Sequence, residues 1–494
     1  MIYDELVRLA ALNPGRLAIV SGDTSCTFKD LVFSVDCCAR NILEMTGTFR
    51  PRVAVISRDP VGYSVVGLAV AKIGGALIPV NPDLKAHQIE KILRSTLANL
   101  VVVDDEQQIS LESVLISDLM RQNDSSIRAV EEWLSEPDYI ITLSSGSTGE
   151  PKPIAISQRQ KLVRAMQTIK HFDLTSKDVV LASSPFFHSL GQRLIFVGLL
   201  SGSTVVSLPR FSAESWCQAV SDFQVSFTIS VPTQLYSVFD FIGDEYSVLS
   251  PLKNIVSSSA PIDPEFKDRV FRATGVRFSE IYGATEVAVV SLLEHDMVEK
   301  SGTVGSVCPG VHVKIMGDNG DEKNVGEIGE IWVKSEYSFS GYFSEKTGVL
   351  TPSEYFMTGD LGYLDEDKFL VFMGRSKDVI FCGGANVYPK DIEVVLMESD
   401  AVRDCAVFAL PVDGYGEVVG AVCEVTANVD AVEVEMSLRG MCNRRLAPYQ
   451  RPMRYHFTTD IPRTGVGKVD KIAIRREYAH TDLELGQLVK KLVN

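Results

Sequence analysis

A chain of 494 residues is longer than a single hydrophobic core usually grows, so two or more domains are expected. With 45% hydrophobic and 23% charged residues it has an ordinary globular composition and can bury large cores. A formal charge of −16 argues against a nucleic-acid or anionic-membrane partner. If such an acidic chain handles anions, it must concentrate positive charge locally, which draws attention to Lys152, Arg375 and Lys468.

Asp4 to Leu12 carries apolar residues at helical spacing and ends before Asn13-Pro14-Gly15, a stop signal. Met1 to Glu5 shows no basic stretch leading into an apolar run, so no signal peptide is expected. The nine cysteines include no Cys-x-x-Cys pair, and Cys37-Cys38 read as small core residues, which fits a reducing cytoplasm. Leu17 to Val20 reads as a strand, and Thr27-Phe28-Lys29-Asp30 as a capping start for a helix running to Leu43. Val65 to Val80, the longest apolar segment, is interrupted by Lys72 and is too short to span a bilayer, for which ~20 residues are needed. Short β-rich runs recur with helical stretches between them: Val53–Ile56, Ala76–Val80, Leu100–Val103, Val179–Ala182, Val205–Leu208 and Val225–Ile229. Such alternation predicts layered α/β structure with largely parallel strands, whose ligands sit at the strands' carboxyl ends.

Tyr139 to Leu143 reads as a buried strand running into Ser144-Ser145-Gly146-Ser147-Thr148-Gly149-Glu150-Pro151-Lys152. Small residues there leave backbone N–H groups uncovered, and hydroxyls plus one lysine add donors, as wrapping a polyphosphate requires. A solvated turn has the same composition, and the spacing is not that of a P-loop NTPase. Further on, Tyr282-Gly283-Ala284-Thr285-Glu286 sets an aromatic face beside open backbone, a hydroxyl donor and a hard oxygen ligand. From Gly310 to Phe343 the pattern turns to a small antiparallel region around the turn Gly317–Gly320. In Thr358-Gly359-Asp360 the carboxylate can accept both hydroxyls of a ribose or simply cap a turn. A hairpin from Gly362 to Met373 leads to Gly374-Arg375-Ser376-Lys377-Asp378. Helix and strand then alternate again: Pro389–Ser399 helical, Ala406–Leu410 and Val419–Val425 extended, Val432–Leu446 helical. Pro462 to Lys468 places glycines beside one lysine, either a mobile cation or a surface lysine. The final stretch, Leu483 to Asn494, reads as a helix end. The domains expected are 1–376 and 377–494: a large α/β domain of layered sheets with a small β region, then a smaller mobile α+β domain.

Taken in this order, the five motifs resemble the adenylate-forming superfamily of acyl-CoA synthetases, peptide-synthetase adenylation domains and firefly luciferase. The resemblance runs from the first helix to Lys468. It implies that a carboxylate attacks the α-phosphate of ATP to give an acyl-adenylate and pyrophosphate, after which a nucleophile takes the acyl group. It implies that Ser144, Ser145, Gly146, Ser147, Thr148, Gly149 and Lys152 hold the β- and γ-phosphates. Tyr282 would stack on adenine with Ser259, Ala260 and Pro261 on the other face. Thr285 would meet the α-phosphate, Glu286 would bind Mg2+, Asp360 would hold the ribose, and Arg375 would contact ribose or phosphate. Lys468 would bridge carboxylate, α-phosphate and ribose oxygen, stabilising the charge that builds on phosphorus. Family members rotate the small domain between half-reactions, with a hinge matching Lys377. The second state delivers Cys382-Gly383-Gly384-Ala385-Asn386, whose glycines let a pantetheine arm approach. One departure is Pro153, which replaces the usual Gly after the loop lysine and removes one N–H.

Pro185 to Gly191 matches the segment that frames the acyl pocket, with His188 as gate or carboxylate contact. Ser189 stands where α-amino-acid enzymes carry Asp, which disfavours an α-amino acid. Ile281 stands where long-chain synthetases tend to have Gly, which shortens the pocket. A compact aryl, cyclic or short-branched acid is expected, walled by Phe187, His188, Ser189, Gln192, Ser258, Ile281 and Val289. With little chain after Lys468, the acceptor is expected to be separate: CoA or the pantetheine of a carrier protein. Ser189-Leu190-Gly191-Gln192-Arg193 also resembles coronafacate-ligase-type enzymes, which make an amide with an amino acid.

Overall fold

The computed structural model describes residues 1–105, 110–122, 138–143, 152–260, 262–344, 348–350, 354–382, 385–412, 416–426, 429–464 and 467–479. The chain divides into two compact units. The first gathers Met1–Val298, Cys308–His312 and Lys334–Phe356; the second gathers Glu299–Val307, Val313–Val333 and Met357 onward.

In the first unit, one sheet orders Ala288–Leu293, Arg277–Ala284, Asn254–Ser258, Phe227–Ser230, Val179–Ala182, Thr204–Ser207, Leu17–Ser21 and Thr24–Thr27. Its middle is parallel, from Arg277–Ala284 across to Leu17–Ser21, with an antiparallel strand at either end. Successive residues of a strand face opposite sides, so Val180 and Val205 enter one core while Leu181 and Val206 enter another. The second sheet is parallel from Asp138–Leu143 through Ala76–Val80, Arg52–Ile56 and Leu100–Val103 to Ser113–Leu115. Antiparallel strands Pro153–Ser157, Gly341–Ser344 and Gly348–Leu350 extend it.

The helices follow local chemistry. Phe28–Thr46 starts on a reciprocal capping box between Thr27 and Asp30 and stops at Gly47 in the left-handed region. Pro60–Lys72 is apolar on every side because it is buried from Pro60 to Ala71, and it gives way to the strand Ala76–Val80. The longest apolar run of the sequence is therefore a core helix followed by a core strand. Among the described residues no helix is long and apolar enough to cross a membrane. The strand expected from Val225 begins instead at Phe227, because the Val225 amide is used to close the preceding helix on the Val220 carbonyl.

The second unit holds most of a four-stranded sheet, Val311–Met316, Gly329–Ser335, Phe356–Leu364 and Leu370–Arg375. Its other sheet runs Ala385–Val387, Ile380–Cys382, Gly416–Val425, Val402–Val412, with Arg454–Thr458 parallel to Gly416–Val425. Helices Pro389–Met397 and Ala431–Arg445 cover it. The layered α/β class with a smaller α+β portion, read from the sequence, is what the structure has. The helix expected over Leu483–Asn494 lies outside the described residues.

Candidate active site

Two parallel strands of the first unit end side by side, with Ser258 in register with Ile281. Past the first, the chain turns sharply at Ser259, whose φ of 79° is left-handed. The second continues through Tyr282 into Gly283, where a Cβ would run into the Ala288 carbonyl oxygen, so only glycine fits. Ser258, Ser259 and Ala260 thus lie beside Ile281 and Tyr282 at the carboxyl edge of the sheet, with Val289 opposite Gly283. Crevices of this kind take nucleotides in open α/β sheets.

The turn after Tyr282 is held from outside. Arg164, on helix Gln158–His171, donates Nη1–H to the Thr285 carbonyl at 3.0 Å, Nη2–H to that of Glu286 at 3.2 Å and Nε–H to that of Tyr337 at 2.7 Å. The Phe339 amide donates to the Glu286 carbonyl at 2.6 Å. Three main-chain acceptors on one guanidinium fix the backbone from which the Thr285 and Glu286 side chains project. The Tyr342 hydroxyl donates to Glu286 Oε1 at 3.4 Å, and Lys152 Nζ stands 5.6 Å from the centre of the same Tyr342 ring. Burial, then the Glu286 charge, pushes the Tyr342 phenol up to about 12, so it remains a donor. One tyrosine therefore lies between the loop lysine and the carboxylate. Glu286 suits Mg2+, which takes one or two protein carboxylates and completes its octahedron with phosphates and water; bound there it would neutralise phosphate charge.

His188 caps helix Ser189–Ser201 through its backbone alone, and its ring lies 4.7 Å from that of Phe187. Its Nε2 is buried without a partner among the described residues, and burial pulls its pKa down to about 4. The imidazole is neutral at pH 7. Gln192, one turn on, is 2% exposed, and its Nε2 also lacks a partner. Gly191 lies against the Pro185 carbonyl so closely that no side chain would fit.

In the second unit, Asp360 and Arg375 face each other across an antiparallel pair, with Arg375 Nε 2.7 Å from Asp360 Oδ1. The Asp360 amide donates to Thr358 Oγ1 at 3.0 Å, and that hydroxyl donates to the Ile331 carbonyl at 2.7 Å. Arg375 Nη1 also donates to the Thr358 carbonyl at 3.2 Å. Lys468 follows a turn closed by the Thr464 amide on its own carbonyl at 2.7 Å, with Gly467 at φ 80°. Burial, then the neighbouring Arg375, lowers the Lys468 pKa, while Asp360 opposes the shift. The Lys468 side chain itself is exposed, with one carboxylate and a second cation near it.

The sequence pattern of the AMP-binding enzyme family matches residues 6–343, and that of the AMP-binding enzyme C-terminal domain matches residues 391–468. The chain belongs to the AMP-binding enzyme family. Among family relatives, the indoleacetate–CoA ligase of Aromatoleum aromaticum is 29% identical, over 96% of this chain and 97% of that one. The ATP-bound structure of MatB from Rhodopseudomonas palustris aligns with a TM-score of 0.86 and 25% identity, over 97% of this chain and 99% of that one. The amide bond synthetase McbA of Marinactinospora thermotolerans shares the fold, at a TM-score of 0.83 and 24% identity, over 97% and 100% of the two chains.

Within the family frame, the structure gathers Ser258, Ser259, Ala260, Ile281, Tyr282 and Val289 at one sheet edge, joined by Thr285 and Glu286 on the following turn. It gathers Asp360, Arg375 and Lys468 within the second unit. Phe187, His188, Ser189 and Gln192 share the start of one helix. Lys377 lies in a short 3-10 turn, Ser376–Asp378, and Asp378 pairs with Arg475 at 2.8 Å. Ser144, Ser145, Gly146, Ser147, Thr148, Gly149, Pro261, Gly383 and Gly384 lie outside the described residues. Pro153 opens its strand opposite Leu143, a position where a strand tolerates a missing N–H. Arg164 and Tyr342 escaped the sequence reading. The only sequence signal was an arginine twelve positions after the loop lysine, on a helix already rich in cations.

Proposed function

We propose that this enzyme activates a compact carboxylic acid with ATP and passes the acyl group to a separate thiol, that of CoA or of a carrier protein's pantetheine. The observation that carries the proposal is the Thr285–Glu286 turn, clamped by Arg164 beside the paired strand ends of Ser258 and Ile281. Adenine would stack on Tyr282 beside Ser259, Ala260 and Pro261, and the α-phosphate would accept from Thr285. Glu286 would hold Mg2+, and residues 144–149 with Lys152 the outer phosphates. Asp360 would receive the ribose hydroxyls, with Arg375 fixing its carboxylate. Lys468 would supply the cation that stabilises charge on the reacting phosphorus. The neutral His188 ring would gate the acid without competing for its charge. The 1–376 and 377–494 division, the hinge at Lys377, the arm passage at Gly383–Gly384 and a cytoplasmic location belong to the same reading.

Acid-dependent exchange of pyrophosphate into ATP tests it. Lys468→Ala should lower exchange by on the order of 10²–10³-fold or more, yet still transfer acyl from a supplied acyl-adenylate to CoA. Equal loss in both half-reactions would remove the role given to Lys468. Product mass with CoA or single amino acids as acceptors tells thioester from amide.

A further inference from the structure

Helices Gln158–His171 and Ser189–Ser201 pack against each other. Lys161 and Arg164 share a face of the first, Arg193 and Phe196 a face of the second, each three residues apart. The Lys161 ammonium lies over the Phe196 ring, 4.8 Å from its centre, and the lysine is only 7% exposed. Among the described residues no carboxylate pairs with Lys161, and nothing hydrogen-bonds the Arg193 guanidinium. Arg164 spends its donors on neutral carbonyls. The three cations act on one another: burial first, then the neighbouring cations, pulls Lys161 far below its usual value and Arg164 down to about 9. Burial takes Arg193 down to about 10. An acidic protein has thus set one buried lysine beside two half-buried arginines, with the Glu286 charge reaching only Arg164. Buried charge without a partner is costly, which makes such a cluster a candidate site for an anion.

The position says which anion. Arg193 follows His188 and Gln192 along the helix proposed to wall the acid. It also lies near Cys308, whose amide donates to the Val290 carbonyl at 2.9 Å, beside Val289 on the opposite wall. On that helix His188 Nε2 and Gln192 Nε2 are buried without partners among the described residues, and Arg193 lies just over a turn beyond His188, the proposed contact of the reacting carboxylate.

We propose that Arg193, backed by Lys161, receives a second acidic group on the acid substrate. The enzyme then activates compact acids that carry an anion at the end remote from the reacting carboxylate. This rests on the acid-activating reading above. A phosphate of ATP offers similar chemistry, and the experiment separates the two.

Pyrophosphate exchange is measured with glutarate, adipate and phthalate, each against its own monoamide, in the wild type, Arg193→Met and Arg193→Lys. A charged hydrogen bond lost from a buried site predicts kcat/KM on the order of 10- to 100-fold higher for diacid than for monoamide in the wild type. Arg193→Met should erase that preference by slowing the diacids alone, with KM for ATP unchanged and thermal stability retained; Arg193→Lys should keep part of it. Monoamides used as well as diacids, or equal slowing of every acid by Arg193→Met, overturn the proposal. A raised KM for ATP assigns the cluster to phosphate and overturns it too. If none of these acids supports exchange while another compact acid does, the diacid proposal falls and the ligase reading stands; if no carboxylic acid does, the ligase reading itself falls.

Discussion

The two faces of the sheet Leu17–Ser21 to Arg277–Ala284 treat buried positive charge in opposite ways. On the face of Leu181, Val206 and Phe278, Lys267 of helix Pro264–Thr274 forms an ion pair with Glu280, and both side chains are 3% exposed. The nearby Asp178, 2% exposed, is likewise met by Lys253 Nζ at 2.7 Å, the Ser226 hydroxyl at 2.9 Å and the Thr175 amide at 2.8 Å. Behind the face of Val180 and Val205, across helix Ser189–Ser201 that covers it, Lys161 is also buried, at 7% exposed, and has no carboxylate partner among the described residues. Both faces are packed cores of one layer. Charge that serves only the fold is balanced within the fold, whereas charge left over marks where a ligand's charge is expected.

The largest effect should come on the balanced face. Lys267→Met leaves Glu280 buried alone and should cost about 3–5 kcal/mol. Because the chain has two units, the measurement is the first urea or thermal transition, compared with Lys267→Met/Glu280→Gln. The double variant should recover part of the loss. A single variant as stable as the wild type would mean that the pair is not what balances this face.

His188 adds a titratable base to the unbalanced face. Its folded pKa of about 4 lies below the 6.5 of an exposed histidine, so between these values the unfolded chain binds the extra proton. Its contribution is complete above pH 6.5, declines as pH falls toward 4 and then levels, a loss of at most about 3 kcal/mol. His188→Phe keeps a ring against Phe187 but cannot be protonated. It should flatten the fall of the unfolding midpoint between pH 6.5 and 4; an identical slope in both proteins would show that the ring is not desolvated.

The sequence showed the balanced features more readily than the unbalanced ones, for a physical reason. Parallel strands covered on both faces read as apolar runs, so Ala76–Val80 and Leu100–Val103 were found at their true ends. The Thr27–Asp30 cap, and motif residues such as Tyr282, Glu286, Asp360 and Lys468, are written in a few adjacent positions. Arg164 is not: its partners Thr285, Glu286 and Tyr337 lie more than a hundred residues along the chain. Nothing in the local sequence of Gln158–His171 sets Lys161 apart from the other cations of that helix. Only the packing of Phe196 and its neighbours shows that Lys161 is inside. The same packing draws notice to Arg193, although Ser189–Arg193 was already singled out for its resemblance.

The smallest effect distinguishes the two lysines by sign. Lys161→Met keeps the stem that packs on Phe196 and removes an ammonium whose protonation burial opposes. A well-packed apolar replacement of buried charge is neutral or stabilising, here by about 1 kcal/mol. The midpoint of unfolding at pH 7, without acid or ATP, should therefore rise slightly, where Lys267→Met lowers it. The gain should shrink when a diacid is present, because the ligand would stabilise the wild type through the charge that the variant lacks. Two lysines that respond alike would erase the contrast between the faces. A gain unchanged by the diacid would leave Lys161 a packing residue and make Arg193 alone answerable for the second acidic group.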